Sequence, residues 1–253
     1  MVGVRSDEGA FRESATFKYS ETECGAMVSD LVMLLVLGFV PAIAWLGYFY
    51  SRDRYSPEPR GCILRIFLLG MASTIPIALL EALIGVVVPS DFLLAVVVAP
   101  IVEECGKFLV VYLFVFRRPV FDEPVDGIVY AVTAALGFAA LENFVYVFAA
   151  YSETLALPLG LSIIRALFSV PGHALMSAMW GYALGQSLVT SHPVAQRLVF
   201  EGLGLAILLH AAFNFFVSIE LVGAIVMVLV LVPGMWLLAT RKIAQSLAPV
   251  DRI

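Results

Sequence analysis

Charge is what this chain has least of. Lys, Arg, Asp and Glu make up 14% of its 253 residues, 61% are apolar, and the mean hydropathy is +0.98. A water-soluble domain of this length needs more polar surface than that, so the excess apolar surface faces lipid. Basic residues are in no excess. The formal net charge is -5 and the pI is near 5.2, which leaves no basic face to neutralise phosphates and excludes nucleic acid as a partner. There are only three cysteines, Cys24, Cys62 and Cys105, and none forms a CxxC pair, so no disulfide framework is expected. Cys105 reads as a small helix-packing residue. Residues 1–28 do not read as a signal peptide, because no basic segment precedes a short apolar core. Residues 1–28 are polar and mildly acidic instead, and they read as an irregular tail.

Long apolar runs are abundant. Seven are near the roughly 20 residues that cross a bilayer, at 29–50, 62–88, 92–116, 126–150, 160–188, 198–219 and 221–240. Short connections between them carry the breakers, such as Ser56-Pro57-Glu58-Pro59, Pro89-Ser90-Asp91 and Ser191-His192-Pro193. Only Ile219-Glu220-Leu221 separates the last two runs, which suits a tight turn or a re-entrant pair. The fold class is therefore all-α: a polytopic membrane protein of about seven transmembrane helices, organised as a tail (1–28), a membrane domain (29–242) and a short C-terminal tail (243–253). Arg52, Arg54, Arg60 and Arg65 mark the first connection, Arg117 and Arg118 the third, Arg197 the fifth, and Arg241, Lys242 and Arg252 the C-terminus. The alternate connections hold Asp91, Glu153 and Glu220. By the positive-inside rule the N-terminus is outside and the C-terminus cytoplasmic.

Four of these runs contain side chains that hydrocarbon excludes: Glu103-Glu104-Cys105-Gly106-Lys107, Glu142-Asn143, His173, and His210-x-x-x-Asn214. A charge at mid-bilayer costs a few kcal/mol or more, so it persists only when paired or when it lines a wet cavity. Depth links the four. At about 1.5 Å per residue from the outer end of each span, Glu103 lies about 18 Å deep, Glu142 about 12 Å, His173 about 20 Å and His210 about 14 Å. Helices three to six alternate in direction, yet their polar residues meet at one level. Pro100 comes three residues before Glu103, and Pro171-Gly172 directly precede His173, so the backbone is expected to be broken there.

Glu103 and Glu104 point about 100° apart on a helix and can border one cavity. Lys107 follows Glu103 by four residues and is within ion-pair reach. Two carboxylates so placed suit proton transfer with water, although a buried Glu–Lys pair that only fixes packing is the alternative. Phe138, one turn before Glu142, either walls the cavity or packs ordinarily. Ser177 and Gly181 follow His173 along one ridge with Arg165 and Ser169 before it, and Gly181-x-x-x-Gly185 lets a neighbouring helix approach closely. His210 and Asn214 share a face, and an asparagine N–H can stabilise an oxyanion. Glu142, His173 and His210 meet the ligand count of a catalytic metal such as zinc, each from a different span, although no His-Glu-x-x-His helix is present.

The ordered set Glu103-Glu104-x-x-Lys107, Phe138-x-x-x-Glu142, His173 and His210-x-x-x-Asn214, over residues 100–215, resembles the PrsW family of intramembrane proteases, a relative of the CAAX prenyl protease and bacteriocin-immunity group. Glu142 replaces the histidine that the wider group carries in its second motif, which favours the PrsW branch. The resemblance implies hydrolysis of a peptide bond in or near the membrane, as in site-1 cleavage of a single-span anti-sigma factor. By the same resemblance Glu103 or Glu104 activates water, His173 and His210 position it or a metal, Glu142 completes the site, and Asn214 steadies the tetrahedral intermediate. The partners so implied are a membrane-protein substrate and the bilayer. Glu–His–Lys chains and broken helices also build proton-coupled transporters and channels, which keeps that class as the rival, although the two halves show no convincing repeat.

Overall fold

The computed structural model describes residues 7–52, 56–151 and 156–247. Among them are seven long helices and no strand. α1 is Asp7–Tyr50 and α2 Arg60–Gly85. α3 joins Asp91–Leu93, a π turn at Leu94–Val98 and Ala99–Phe114. α4 is Pro124–Ala149. α5 runs through Ala156–Ile164, a π turn at Arg165–Ser169 and Val170–Gln186. α6 is His192–Val217. α7 joins Glu220–Val226, a π turn at Met227–Leu231 and Val232–Ser246. The protein is an all-α polytopic membrane protein. Six helices are long and apolar enough to cross a bilayer, while α3 has the length but carries Glu103, Glu104 and Lys107.

Two helices clearly overrun the apolar stretches that announce them. α6 begins at His192 rather than 198, and α7 continues to Ser246 rather than 240, because hydropathy marks the part inside lipid and not the polar turns beyond it. The stretch read as an irregular tail is helical from Asp7, continuous with the first span; residues 1–6 lie outside the described residues. No proline precedes Pro41, so nothing in the backbone ends the helix earlier. Between α6 and α7 the chain makes the tight turn, with Glu220 in the left-handed region at φ 45°.

α4 sits at the centre. Every residue from 124 to 140 is buried, and it packs against α5, α2 and α1. A capping box starts it, with the Asp126 carboxylate accepting from the Asp122 and Glu123 N–H groups at 2.8 Å each. α4 and α5 approach through glycine. A Cβ on Gly127 would lie 2.2 Å from the Gly181 carbonyl oxygen, and one on Gly185 would lie 1.9 Å from that of Pro124. The Gly181-x-x-x-Gly185 pattern therefore sets the separation between the two helices that hold Glu142 and His173. On the periphery Leu79, Leu83, Leu113, Leu208 and Leu229 are exposed, as a lipid-facing surface requires. Gly185→Val is expected to cost about 1–3 kcal/mol or more through overpacking, read as a lower melting temperature in detergent. Gly204→Ala, where an added Cβ meets nothing within 4 Å, should lose no stability.

Candidate active site

The site residues follow two broken turns. Pro100 and Pro171 each stand second in the α-helical segment after a π turn. A π turn widens the helix, so the proline ring is taken up without meeting the preceding carbonyl, and the helix continues into the glutamates or the histidine. The breaks place Glu103, Glu104 and Lys107 of α3 opposite His173 of α5, while α6 brings in His210.

Lys107 is the hub. Its Nζ donates to Glu103 Oε2 at 3.1 Å, Glu104 Oε1 at 2.8 Å and His173 Nδ1 at 3.0 Å, and it lies 4.4 Å from the centre of the Phe138 ring. Phe138 therefore walls the cluster. The two glutamates differ. Glu104, at 0% exposure, accepts from four side chains: Lys107 and His210 Nδ1 (3.2 Å) on Oε1, Ser177 Oγ (2.7 Å) and Trp180 Nε1 (3.0 Å) on Oε2. Glu103, at 6%, has one short bond, to Lys107. Glu104 is saturated and Glu103 is open.

Hydrogen-bond accounting fixes both imidazole tautomers. An ammonium only donates, so His173 Nδ1 carries the lone pair and Nε2–H donates to Glu142 Oε2 at 3.0 Å. His210 Nδ1 faces Glu104 Oε1, which accepts its N–H, so in the neutral imidazole the lone pair is on Nε2. The two lone-pair nitrogens each stand 3.8 Å from Glu103 Oε2. Glu103, His173 and His210 thus offer ligand atoms all within 4.8 Å of one another.

The group of possible metal ligands that the structure brings together differs by one member from the set expected from the sequence. Glu103 stands in the group of possible ligands where Glu142 was expected, while Arg165 Nη2 at 2.7 Å and His173 Nε2 at 3.0 Å both donate to Glu142 Oε2. Arg165 Nε also donates to Asn143 Oδ1 at 2.9 Å. Asn214 is engaged elsewhere, since its Nδ2 donates to the Ala95 carbonyl at 2.8 Å. The sequence reading passed over Arg165, Ser177 and Trp180 as partners. The signal was there: Ser177 and Trp180 lie one and two turns after His173. It also missed Glu81, a lone acid in the apolar α2. One Glu81 oxygen is buried without a hydrogen-bond partner among the described residues, and the carboxyl feels the charges of Glu103, Glu142, Lys107 and His210.

The model of the PrsW family intramembrane metalloprotease matches residues 58–238. The chain belongs to the PrsW family. It is similar to Protease PrsW of Geobacillus kaustophilus strain HTA426, with 40% identity over 156 residues, 61% of this chain and 66% of that one. It is also similar to Protease PrsW of Clostridioides difficile strain 630, with 34% identity over 84% of this chain and 90% of the relative, and to that of Bacillus subtilis strain 168, with 30% identity over 73% and 83%. No solved structure matches. The protein is thus an intramembrane protease, and membership of the PrsW family favours hydrolysis over transport.

The residues fit the metal that the PrsW family's description implies. Two of the three donor atoms already hold a cation, the Lys107 ammonium. Each histidine has its far nitrogen bound to a carboxylate, as metal-ligating imidazoles do. Glu103, Glu104 and Glu142 outnumber Lys107 and Arg165 by one negative charge before Glu81 is counted. Glu104→Gln should destabilise the protein by about 3–5 kcal/mol, because an amide has one accepting oxygen where two are used. Glu103→Gln, which keeps an acceptor for Lys107, should melt within a few degrees of wild type. Thermal unfolding in detergent compares them.

Proposed function

We propose that this PrsW-family protein cuts a single-span membrane protein within the outer half of the bilayer, as a site-1 protease acting on an anti-sigma factor, with a divalent metal, zinc, held by Glu103, His173 and His210. The observation that carries the reading is the convergence of two imidazole lone pairs on one open carboxylate. Three protein donors with a remaining open position suit a catalytic metal rather than a structural one.

The metal, when bound, supplies Lewis-acid chemistry, drawing electron density from the scissile carbonyl and from water. Glu142 and Glu104 hold the imidazole protons on the far nitrogens and so keep both lone pairs on the site. Lys107 bridges Glu103 and Glu104, donating to one oxygen of each. The water oxygen attacks the carbonyl carbon, its proton passes to Glu103 Oε1, the oxygen other than the one that faces Lys107 and the two imidazoles, and the same proton goes to the leaving amine as the C–N bond breaks. Asn214, bound to Ala95, is given no contact with substrate in this scheme.

In proteoliposomes holding a single-span target, wild type should cleave, a chelator should abolish cleavage and zinc should restore it. Glu103→Gln should lower the rate by at least a hundredfold while the protein stays folded. Cleavage that survives both chelation and Glu103→Gln contradicts the assignment. The positive-inside orientation, N-terminus outside, is tested with single cysteines in a background lacking Cys24, Cys62 and Cys105. A membrane-impermeant thiol reagent on intact cells should label a cysteine at Asp91 and spare one at Arg117.

A further inference from the structure

We infer that α1, which precedes the segment matched by the family model, belongs to the active-site scaffold, and that Trp45 is a positioning residue for His173. The inference rests on the protease reading and extends it to a helix that contributes no ligand.

The argument begins with what proline leaves behind. In a π turn the N–H of a residue bonds the carbonyl five residues earlier, and in an α-helix four earlier. Proline has no N–H, so that carbonyl is orphaned, and inside a membrane it has no water to turn to. Pro171 follows the π turn at Arg165–Ser169 and orphans Ala166. The Ala166 carbonyl accepts instead from Trp45 Nε1 at 2.9 Å, across 121 residues. Pro100 stands in the same relation to Ala95, which accepts from Asn214 Nδ2 at 2.8 Å. Pro41, inside α1, frees Leu37, whose carbonyl accepts from Asn143 Nδ2 at 3.0 Å and Ser162 Oγ at 2.9 Å. Three freed carbonyls each have a partner on another helix.

Two of these three carbonyls tie α1 to the site. Asn143 passes from Leu37 and Gly38 to Arg165, Arg165 to Glu142, and Glu142 to His173. Trp45 holds the turn from which His173 projects, seven residues after Ala166, and its ring is fixed against Tyr48, Phe49 and Trp236. α1 therefore sets the direction of the His173 imidazole from two sides: through the backbone at Ala166 and through the side chains ending at Glu142.

The test uses Trp45→Phe, which keeps the aromatic bulk and removes the donor, with and without Pro171→Ala, which returns an N–H to the broken turn. Turnover of a target that wild type cleaves and zinc affinity by competition with a chromophoric chelator are both measured on purified full-length protein. Trp45→Phe should lower kcat by about tenfold with KM within about twofold, and weaken zinc binding by a similar factor. In the Pro171→Ala background the same substitution should change neither. The pair Asn214→Leu and Pro100→Ala should behave alike at the other break, and where Pro171→Ala folds poorly the two readouts on Trp45→Phe alone decide the positioning role. Trp45→Phe equal to wild type in both readouts, or equally damaging in both backgrounds, overturns the positioning role alone. If wild type itself holds no zinc and cleaves nothing, the protease reading fails first and the inference with it.

Discussion

The structure depends on one ammonium group placed between two carboxylates where the bilayer offers no water. Lys107 bonds Glu103, Glu104 and His173 together within a fully buried space. Unpaired, any of these charges would be expensive at that depth. Paired, they still need every remaining lone pair and proton satisfied, because attraction between charges offsets desolvation only when the geometry is complete. That requirement explains why Ser177 and Trp180 of α5 and His210 of α6 all point at Glu104. The polar network and the packing of α3, α5 and α6 are the same structure.

A second constraint is placed on the backbone. Side chains from four helices meet at one level only if the helices approach closely and turn their polar residues inward. Gly127, Gly181 and Gly185 supply the approach between α4 and α5, and the π turns before Pro100 and Pro171 supply the turning. Each break opens a backbone acceptor that another helix must fill. The proposed function is thereby linked to assembly: the devices that aim the clustered side chains also hold the helices in register.

Much of this was legible in the sequence. Seven apolar runs gave seven long helices, and the shared depth of Glu103, Glu142, His173 and His210 became a connected cluster. Spacing along one helix told correctly that Lys107 reaches Glu103, since i+4 neighbours are set by helical geometry alone. It did not tell which glutamate is saturated, because the partners of Glu104 come from α5 and α6. It did not foresee that Arg165 would claim Glu142, for the same reason. Asn214 looked catalytic beside His210. Its partner, the Ala95 carbonyl, exists as an acceptor only because Pro100 breaks a different helix. Pairings across helices carry no spacing signature in a single chain.

The coordination of a bound metal tests the central claim most directly. X-ray absorption at the zinc edge of purified, zinc-loaded protein should give one zinc per chain, with two imidazole nitrogens at about 2.0 Å and a carboxylate oxygen at about 2.0–2.2 Å. The imidazole scattering should fall by about half in either His173→Ala or His210→Ala and be lost when both are replaced. An inner shell without imidazole, or a signal unchanged by both substitutions, would contradict a catalytic centre built from Glu103, His173 and His210.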